Sequence, residues 1–164
     1  MNTVNSAFQE VLFSYTFDAL MTSIHAESAY VAVSVGSAVP SADKPLSAII
    51  ITDDEASFVR AALSKAHTAM LTRLSAYLAN QPAADEDVYA IQLFLPERRK
   101  AEYDTLIMRE LQRAFVAYVL ARWYEHKLPE VALQQQNIYE EAVANTMHNI
   151  FMLYGGMRRR DCYF

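Results

Sequence analysis

The chain has 164 residues, 53% of them hydrophobic and 20% charged, with 8 Phe, 10 Tyr, 1 Trp and a formal net charge of −5. That length suits one domain with a real core, and the apolar content is too high for a disordered chain. The acidic balance lacks the basic footprint by which duplex-binding proteins release counterions, and the 3 glycines (Gly36, Gly155, Gly156) are too few and too scattered for phosphate-cradling loops, dinucleotide fingerprints or a G-x-S-x-G elbow.

The sign of the charge changes along the chain. Residues 1–95 hold 10 acids and 4 bases, whereas residues 96–164 hold 9 acids and 10 bases. Cys162 is the single cysteine, so no intramolecular disulfide forms, which fits a reducing compartment. The opening MNTVNSAFQE carries no basic n-region, and Asp18 interrupts the apolar stretch behind it, so no secretory signal is expected. The densest apolar run, Ala114 to Ala121, has 8 residues, far short of the about 20 a membrane span needs. The expectation is a soluble cytoplasmic protein with no membrane partner.

In chain order, Ser6-x-x-Gln9 has capping-box spacing, and Phe8, Val11, Leu12, Tyr15 and Ala19 recur at helical intervals. A first helix is therefore predicted from Ser6 to about Glu27–Tyr30. Val31–Val35 (VAVSV) reads as a short strand from its β-branching and alternation. Residues 36–47, with two prolines, three serines and a glycine, read as a loop. Thr52-Asp53-Asp54-Glu55 is a second capping box, with acids at the positive end of the helix dipole. It opens a helix to about Asn80 whose apolar track is Val59, Leu63, Ala66, Met70, Leu74, Tyr77 and Leu78. Strand and helix compete over Val88–Leu95; the β-rich content and the stop at Pro96 favour a strand over 88–94.

A third helix is predicted from Glu97 to about His126, with so few charges between Ala114 and Tyr124 that it should form the centre of the core. Leu128-Pro129 breaks it. The fourth helix covers about Glu130–Tyr154, with Ile138, Ala142, Val143, Met147, Ile150, Phe151 and Tyr154 as its stripe and Gly155 as its C′ residue. The short connection makes helices three and four antiparallel neighbours. The fold class is mainly α: a four-helix bundle-like single domain over 1–157 with a small β element near 31–35 and 88–94, and a basic, aromatic tail over 158–164.

Few residues combine into a chemical site. The four histidines (His25, His67, His126, His148) lie in separate segments without metal-ligand spacing, so no metal or other cofactor is expected. Glu141, Asn145 and His148 share a helical face and read as solvated surface; an enzyme would have to assemble a scattered site from Glu141, His148 and Arg109 or Arg113. Cys162 beside Arg158–Arg160 could have a lowered pKa, but a terminal tail is a poor mount for a nucleophile. The acids at 53–55 and 85–87 are explained by a helix cap and a turn. No catalytic residues are therefore assigned.

Two basic clusters remain, Arg98-Arg99-Lys100 and Arg158-Arg159-Arg160. The first opens a helix, where cations oppose the dipole and need a compensating partner. Both read as solvated surface, or as contact with an acidic neighbouring chain or a nucleic-acid backbone; sequence-specific nucleic-acid binding is not expected. Together with Tyr163 and Phe164 they are the candidate protein-interface residues, since arginine and aromatic side chains carry interfaces.

The order of parts resembles a known family. TDDEASFVRAALSKAHTAMLTRLSAYL precedes a strand-like stretch ending in LP, followed by RELQRAFVAYVLARWY, a short turn, IYEEAVANTMHNIFMLYGG and a basic tail. Over about residues 52–157 this is similar to the small helical head–tail connector (neck adaptor) proteins of tailed bacteriophages and prophages. Tyr139, Glu140, Glu141 and Ala142 match the rhythm of that family's last helix, and Ala114, Ala117, Tyr118 and Trp123 stand in its penultimate helix. The first 50 residues depart from its simplest members. The resemblance implies a non-enzymatic virion part, made in the host cytoplasm, that assembles head-to-tail with copies of itself into a ring and meets a portal or tail protein. The other reading of the same residues is a cytoplasmic helical adaptor or regulator that binds another protein through its C-terminal arm.

Overall fold

The computed structural model describes residues 8–38 and 48–154. The described chain runs β1 (Phe8–Thr16), α1 (Phe17–Ala38), α2 (Ala56–Arg73), β2 (Val88–Pro96), α3 (Ala101–Tyr124) and α4 (Pro129–Leu153), with short 3-10 turns at Asp53–Glu55 and Ser75–Tyr77. The fold is mainly α with a small β element, as expected. Residues 155–164, including Gly155 and the whole tail, lie outside the described residues, as does Ser6.

Two expected elements change type. Residues 8–16 form a strand, not the start of a helix. Phe8, Val11, Leu12 and Tyr15 fit a helical period, but Val11, Phe13 and Tyr15 also alternate, and the period of two prevails because β2 supplies a matching strand. The antiparallel register sets Val11 opposite Leu93, Phe13 opposite Ile91 and Tyr15 opposite Tyr89, so one face of the pair is buried. Conversely, Val31–Val35 is the last part of α1, not a strand, and that helix runs on through Gly36 to Ala38. Leu20, Met21, Ile24, Ser28, Val31 and Ala32 are buried at intervals of three and four, while Val33 is exposed. Packing of that stripe overrides the β-branched preference.

α1 starts directly where β1 stops. The Thr16 hydroxyl accepts from the Ala19 amide at 3.3 Å, and the Phe17 amide donates to the Asp87 carbonyl at 2.8 Å. At the start of α2, the Thr52 amide and hydroxyl both donate to the Glu55 carboxylate, at 2.7 and 2.5 Å. α2 ends at Arg73 rather than near Asn80. The chain then lies along the free edge of β2, where the Ala79 amide donates to the Gln92 carbonyl at 2.9 Å. The Gln81 carboxamide continues that edge as a peptide group would, accepting from the Gln92 amide at 3.0 Å and donating to the Gln92 carbonyl at 2.7 Å.

α3 is the centre of the core, packed against α1, α2 and α4. It begins at Ala101, after a turn, and not at Glu97. Ile107, Leu111, Ala114, Phe115, Val119, Leu120 and Tyr124 are all buried on it. Phe115 joins the layers, with ring centroids 5.4 Å from Tyr15, 5.8 Å from Tyr89 and 6.3 Å from His67. α4 runs antiparallel to α3, since Tyr118 meets Tyr139, Arg113 meets Glu141 and Glu110 meets Asn145. The buried face of α4 is Gln135, Tyr139, Ala142, Val143, Thr146 and Ile150, rotated from the expected stripe so that Phe151 stays exposed.

Candidate functional site

Three surfaces carry the residues of interest: a cleft over α3, the turn before α3, and the corner where α4 ends. The cleft lies between α1, α3 and α4 and has a volume of about 430 Å³. α1 contributes Ser23, Ala26 and Glu27 to it, and α4 contributes Gln135 and Ile138. The floor is α3, which presents Arg109, Gln112, Arg113, Val116 and Ala117 at helical spacing. The Gln112 amide donates to the Ser23 hydroxyl at 3.0 Å, and that hydroxyl donates to the Ala19 carbonyl at 3.1 Å, which ties α1 to α3. Arg113 is held by acids on both sides, 3.5 Å from Glu110 and 3.3 Å from Glu141.

The residues of the scattered enzyme reading are only partly gathered. Arg109 and Arg113 line the cleft, Glu141 reaches it only through its ion pair with Arg113, and His148 is exposed and not part of the lining. Asn145 turns to Glu110, its amide 3.4 Å from the carboxylate. Among the described residues no group of three or more His, Cys, Asp or Glu is placed to hold a metal ion. Sequence reasoning missed Glu27, Gln112 and Gln135. Each looks like a routine surface residue of an amphipathic helix, and only the docking of α1 onto α3 brings them to one cleft.

The first basic cluster divides. Arg98 and Lys100 are exposed, whereas the Arg99 side chain is only 9% exposed and folds back on the first turn of α3. Its guanidinium makes a bidentate pair with Asp104, at 2.6 and 2.8 Å, and donates to the Pro96 carbonyl at 3.2 Å. With its amide oxygen turned inward, Gln9 of β1 accepts from the same guanidinium. Asp104 is thus the partner that makes a cation tolerable at this helix start. Arg158, Arg159, Arg160, Tyr163 and Phe164 lie outside the described residues.

The acidic turn at 85–87 is occupied internally. Arg60 of α2 forms an ion pair with Asp87, donates to the Glu86 carbonyl at 3.2 Å, and stacks on the Phe17 ring at 3.9 Å. At the other end of α3, the Trp123 indole donates to the Ile49 carbonyl at 2.8 Å and Lys127 donates to the Ala48 carbonyl at 3.0 Å. That pair therefore anchors the chain entering α2.

The corner at the end of α4 is aromatic. Tyr154 stacks on Phe8 at 5.2 Å, tilts against Tyr77 at 5.4 Å, and donates its hydroxyl to the Phe94 carbonyl at 2.6 Å. Burial pushes the pKa of that hydroxyl up, with Tyr77 adding to the shift. Phe8, Phe94, Phe151 and Tyr154 nonetheless remain 40–43% exposed. None of these was read from the sequence as a surface feature, because each falls on an apolar position of its own element.

No protein-family model, curated protein or solved structure matches this chain. Among the described residues, no helix is long and apolar enough to cross a membrane.

Proposed function

We propose that this chain is a non-enzymatic assembly subunit of the head–tail connector type, working through contacts with further copies of itself and with a portal or tail protein. The observation that carries the reading is the end of α4, where Tyr154 stacks on Phe8 and bonds the Phe94 carbonyl while Phe8, Phe94 and Tyr154, and Phe151 one helical turn earlier, each stay about two-fifths exposed. Isolated exposed apolar residues are ordinary, but a group of this kind marks a contact surface. It stands at the end of α4, where the chain passes into the segment with Arg158–Arg160, Tyr163 and Phe164. Aromatic and arginine side chains are the types that dominate interface energetics. The acidic first part and slightly basic last part of the chain also suit a heterologous contact, in which one surface meets a different one on the next copy. The element order over residues 52–157 and the Tyr139/Ala142 rhythm support the connector reading in particular.

Light scattering coupled to gel filtration, with negative-stain imaging at high concentration, tests this. Closed rings, or a stable complex with a portal or tail protein, are expected. The double substitution Phe94→Ser, Phe151→Ser should weaken either assembly at least tenfold while leaving the helical circular-dichroism spectrum unchanged, as loss of two hot-spot side chains predicts. A chain that stays monomeric and binds neither kind of partner overturns the reading.

A further inference from the structure

The two edges of the small sheet are treated differently. β2 has its outer edge covered: the Gln92 amide donates to Gln81, and the Gln92 carbonyl accepts from the Ala79 amide. On the same edge the Ala90 carbonyl lies 2.8 Å from His67 Nε2, and the Phe94 carbonyl accepts from the Tyr154 hydroxyl. Both backbone groups of Gln92 are thus engaged away from β1, so Leu12, opposite it, belongs to a pair without hydrogen bonds between the strands. Bonding alternates along an antiparallel ladder, so the N–H and C=O groups of Glu10, Leu12 and Ser14 all point outward from β1. The ends of the ladder agree with this phase. Pro96, opposite Phe8, has no N–H to give, and the Phe17 amide bonds the Asp87 carbonyl. Among the described residues nothing bonds the outward groups of Glu10, Leu12 and Ser14. Such an edge is a template for further pairing, and proteins usually blunt it with lysine, proline, a bulge or a covering segment. Among the described residues β1 has none of these. Residues 8–16 contain no Lys, Arg or Pro, and their register with β2 is one-to-one throughout. Glu10 is the single charge on the strand, and the Gln92 carboxamide holds its carboxylate over β2 at 2.6 Å. Leu12 is 52% exposed.

We propose that this edge pairs with the same edge of a second copy, antiparallel, with the two-fold axis between the two Leu12 residues. In that register Leu12 meets the partner's Leu12, and on either side Glu10 meets the partner's Ser14. Every pair joins outward-pointing groups, so the backbone of Glu10, Leu12 and Ser14 is satisfied and the two sheets become one. The strand's own pattern selects the register. An axis through Glu10 sets two carboxylates opposite each other, and the remaining antiparallel registers set Leu12 against a glutamate, a serine or a threonine. A two-fold contact requires a surface complementary to itself, and this edge is one. The contact uses neither the aromatic rings at the end of α4 nor a head-to-tail geometry, so it does not rest on the assembly reading.

The test is sedimentation of the full chain over a range of concentrations, with amide hydrogen exchange measured at both ends of the range. A single strand pair is a small contact, so a reversible dimer is expected to form between about 10 μM and about 1 mM. The Leu12 and Ser14 amides should become protected only as the dimer forms, whereas the Val11 and Phe13 amides, bonded to β2, stay protected throughout. Leu12→Pro removes only an outward N–H, so β1 keeps its pairing with β2 while the dimer is lost. Leu12→Lys sets two cations face to face and should weaken the dimer at least tenfold. Ser14→Lys should instead tighten it about fivefold, because the new cation meets the partner's Glu10. Glu10, Leu12 and Ser14 are exposed, and circular dichroism verifies that each variant is folded. The inference is overturned by a chain that stays monomeric at about 1 mM, by a dimer indifferent to Leu12→Pro and Leu12→Lys, or by one that Ser14→Lys fails to tighten. The last of these outcomes would mean that some other strand takes the edge. Binding of a portal or tail protein is read separately, so failure here leaves the assembly reading standing.

Discussion

Arg98, Arg99 and Lys100 are three consecutive cations that side-chain chemistry alone does not tell apart, yet the fold treats them differently. Arg99 sits over the first turn of α3 with Asp104, Pro96 and Gln9 around it, and Asp104 is itself about a third exposed. Arg99→Ala removes a bidentate charge-assisted pair and leaves a half-buried carboxylate without its cation. The expected loss is about 2 kcal/mol in urea unfolding. Arg98→Ala and Lys100→Ala, at exposed positions, should each stay within about 0.5 kcal/mol. A loss spread evenly over the three would show that the Asp104 pair is not what distinguishes Arg99. The sequence indicated that some partner must compensate a cation at a helix start; it could not say which cation or which acid, because that depends on the rotation of the 97–100 turn.

At the level of elements, α3 was legible because its signal is strong and local: an apolar stretch enclosed on most sides, ended by a proline after a short turn. The Thr52–Glu55 cap was legible for the same reason, since residues three apart decide it. β1 was not. Its residues fit two periods, and the strand that settles the matter lies some eighty positions away in sequence. Val31–Val35 failed in the opposite sense, its β-branched character giving way to the buried stripe of α1. Phe115 is where these elements meet, its ring against Tyr15 of β1, Tyr89 of β2 and His67 of α2. Phe115→Ala should therefore cost about 3–5 kcal/mol by thermal or chemical unfolding, the range for a large buried aromatic. A cost below about 1 kcal/mol, the scale of a surface substitution, would mean that Phe115 does not join the layers.

Across the whole molecule, the tyrosines link packing to pH. Burial raises the pKa of Tyr15, whose hydroxyl donates to the Met108 carbonyl at 2.8 Å, and of Tyr124, whose hydroxyl donates to the Ile49 carbonyl at 3.3 Å. Tyr89 is raised by burial as well. For a phenol whose folded pKa exceeds its unfolded value, the unfolded state loses protons first as pH rises. The stabilisation is complete below about pH 10 and declines as pH climbs from there toward the folded pKa. Alkaline unfolding should thus begin above about pH 10, with tyrosinate absorbance appearing together with loss of helical ellipticity. Tyr15→Phe should shift that transition to higher pH. Full ionisation of the tyrosines in a chain that remains folded would contradict the burial of Tyr15 and Tyr124.

The sequence by itself determined the mainly helical class, the central helix, the antiparallel pairing of the last two helices and the strand before Pro96, because short-range periodicity, caps and connection lengths encode them. Tertiary structure alone decided that residues 8–16 pair as a strand, that Val31–Val35 belong to a helix, and that Arg99 turns inward while Arg98 and Lys100 do not. It also decided that Glu27, Arg109 and Gln135 line one cleft and that the Tyr154 ring meets those of Phe8 and Tyr77. Each of these depends on which distant surface an ambiguous segment meets, and no local pattern of residues carries that information.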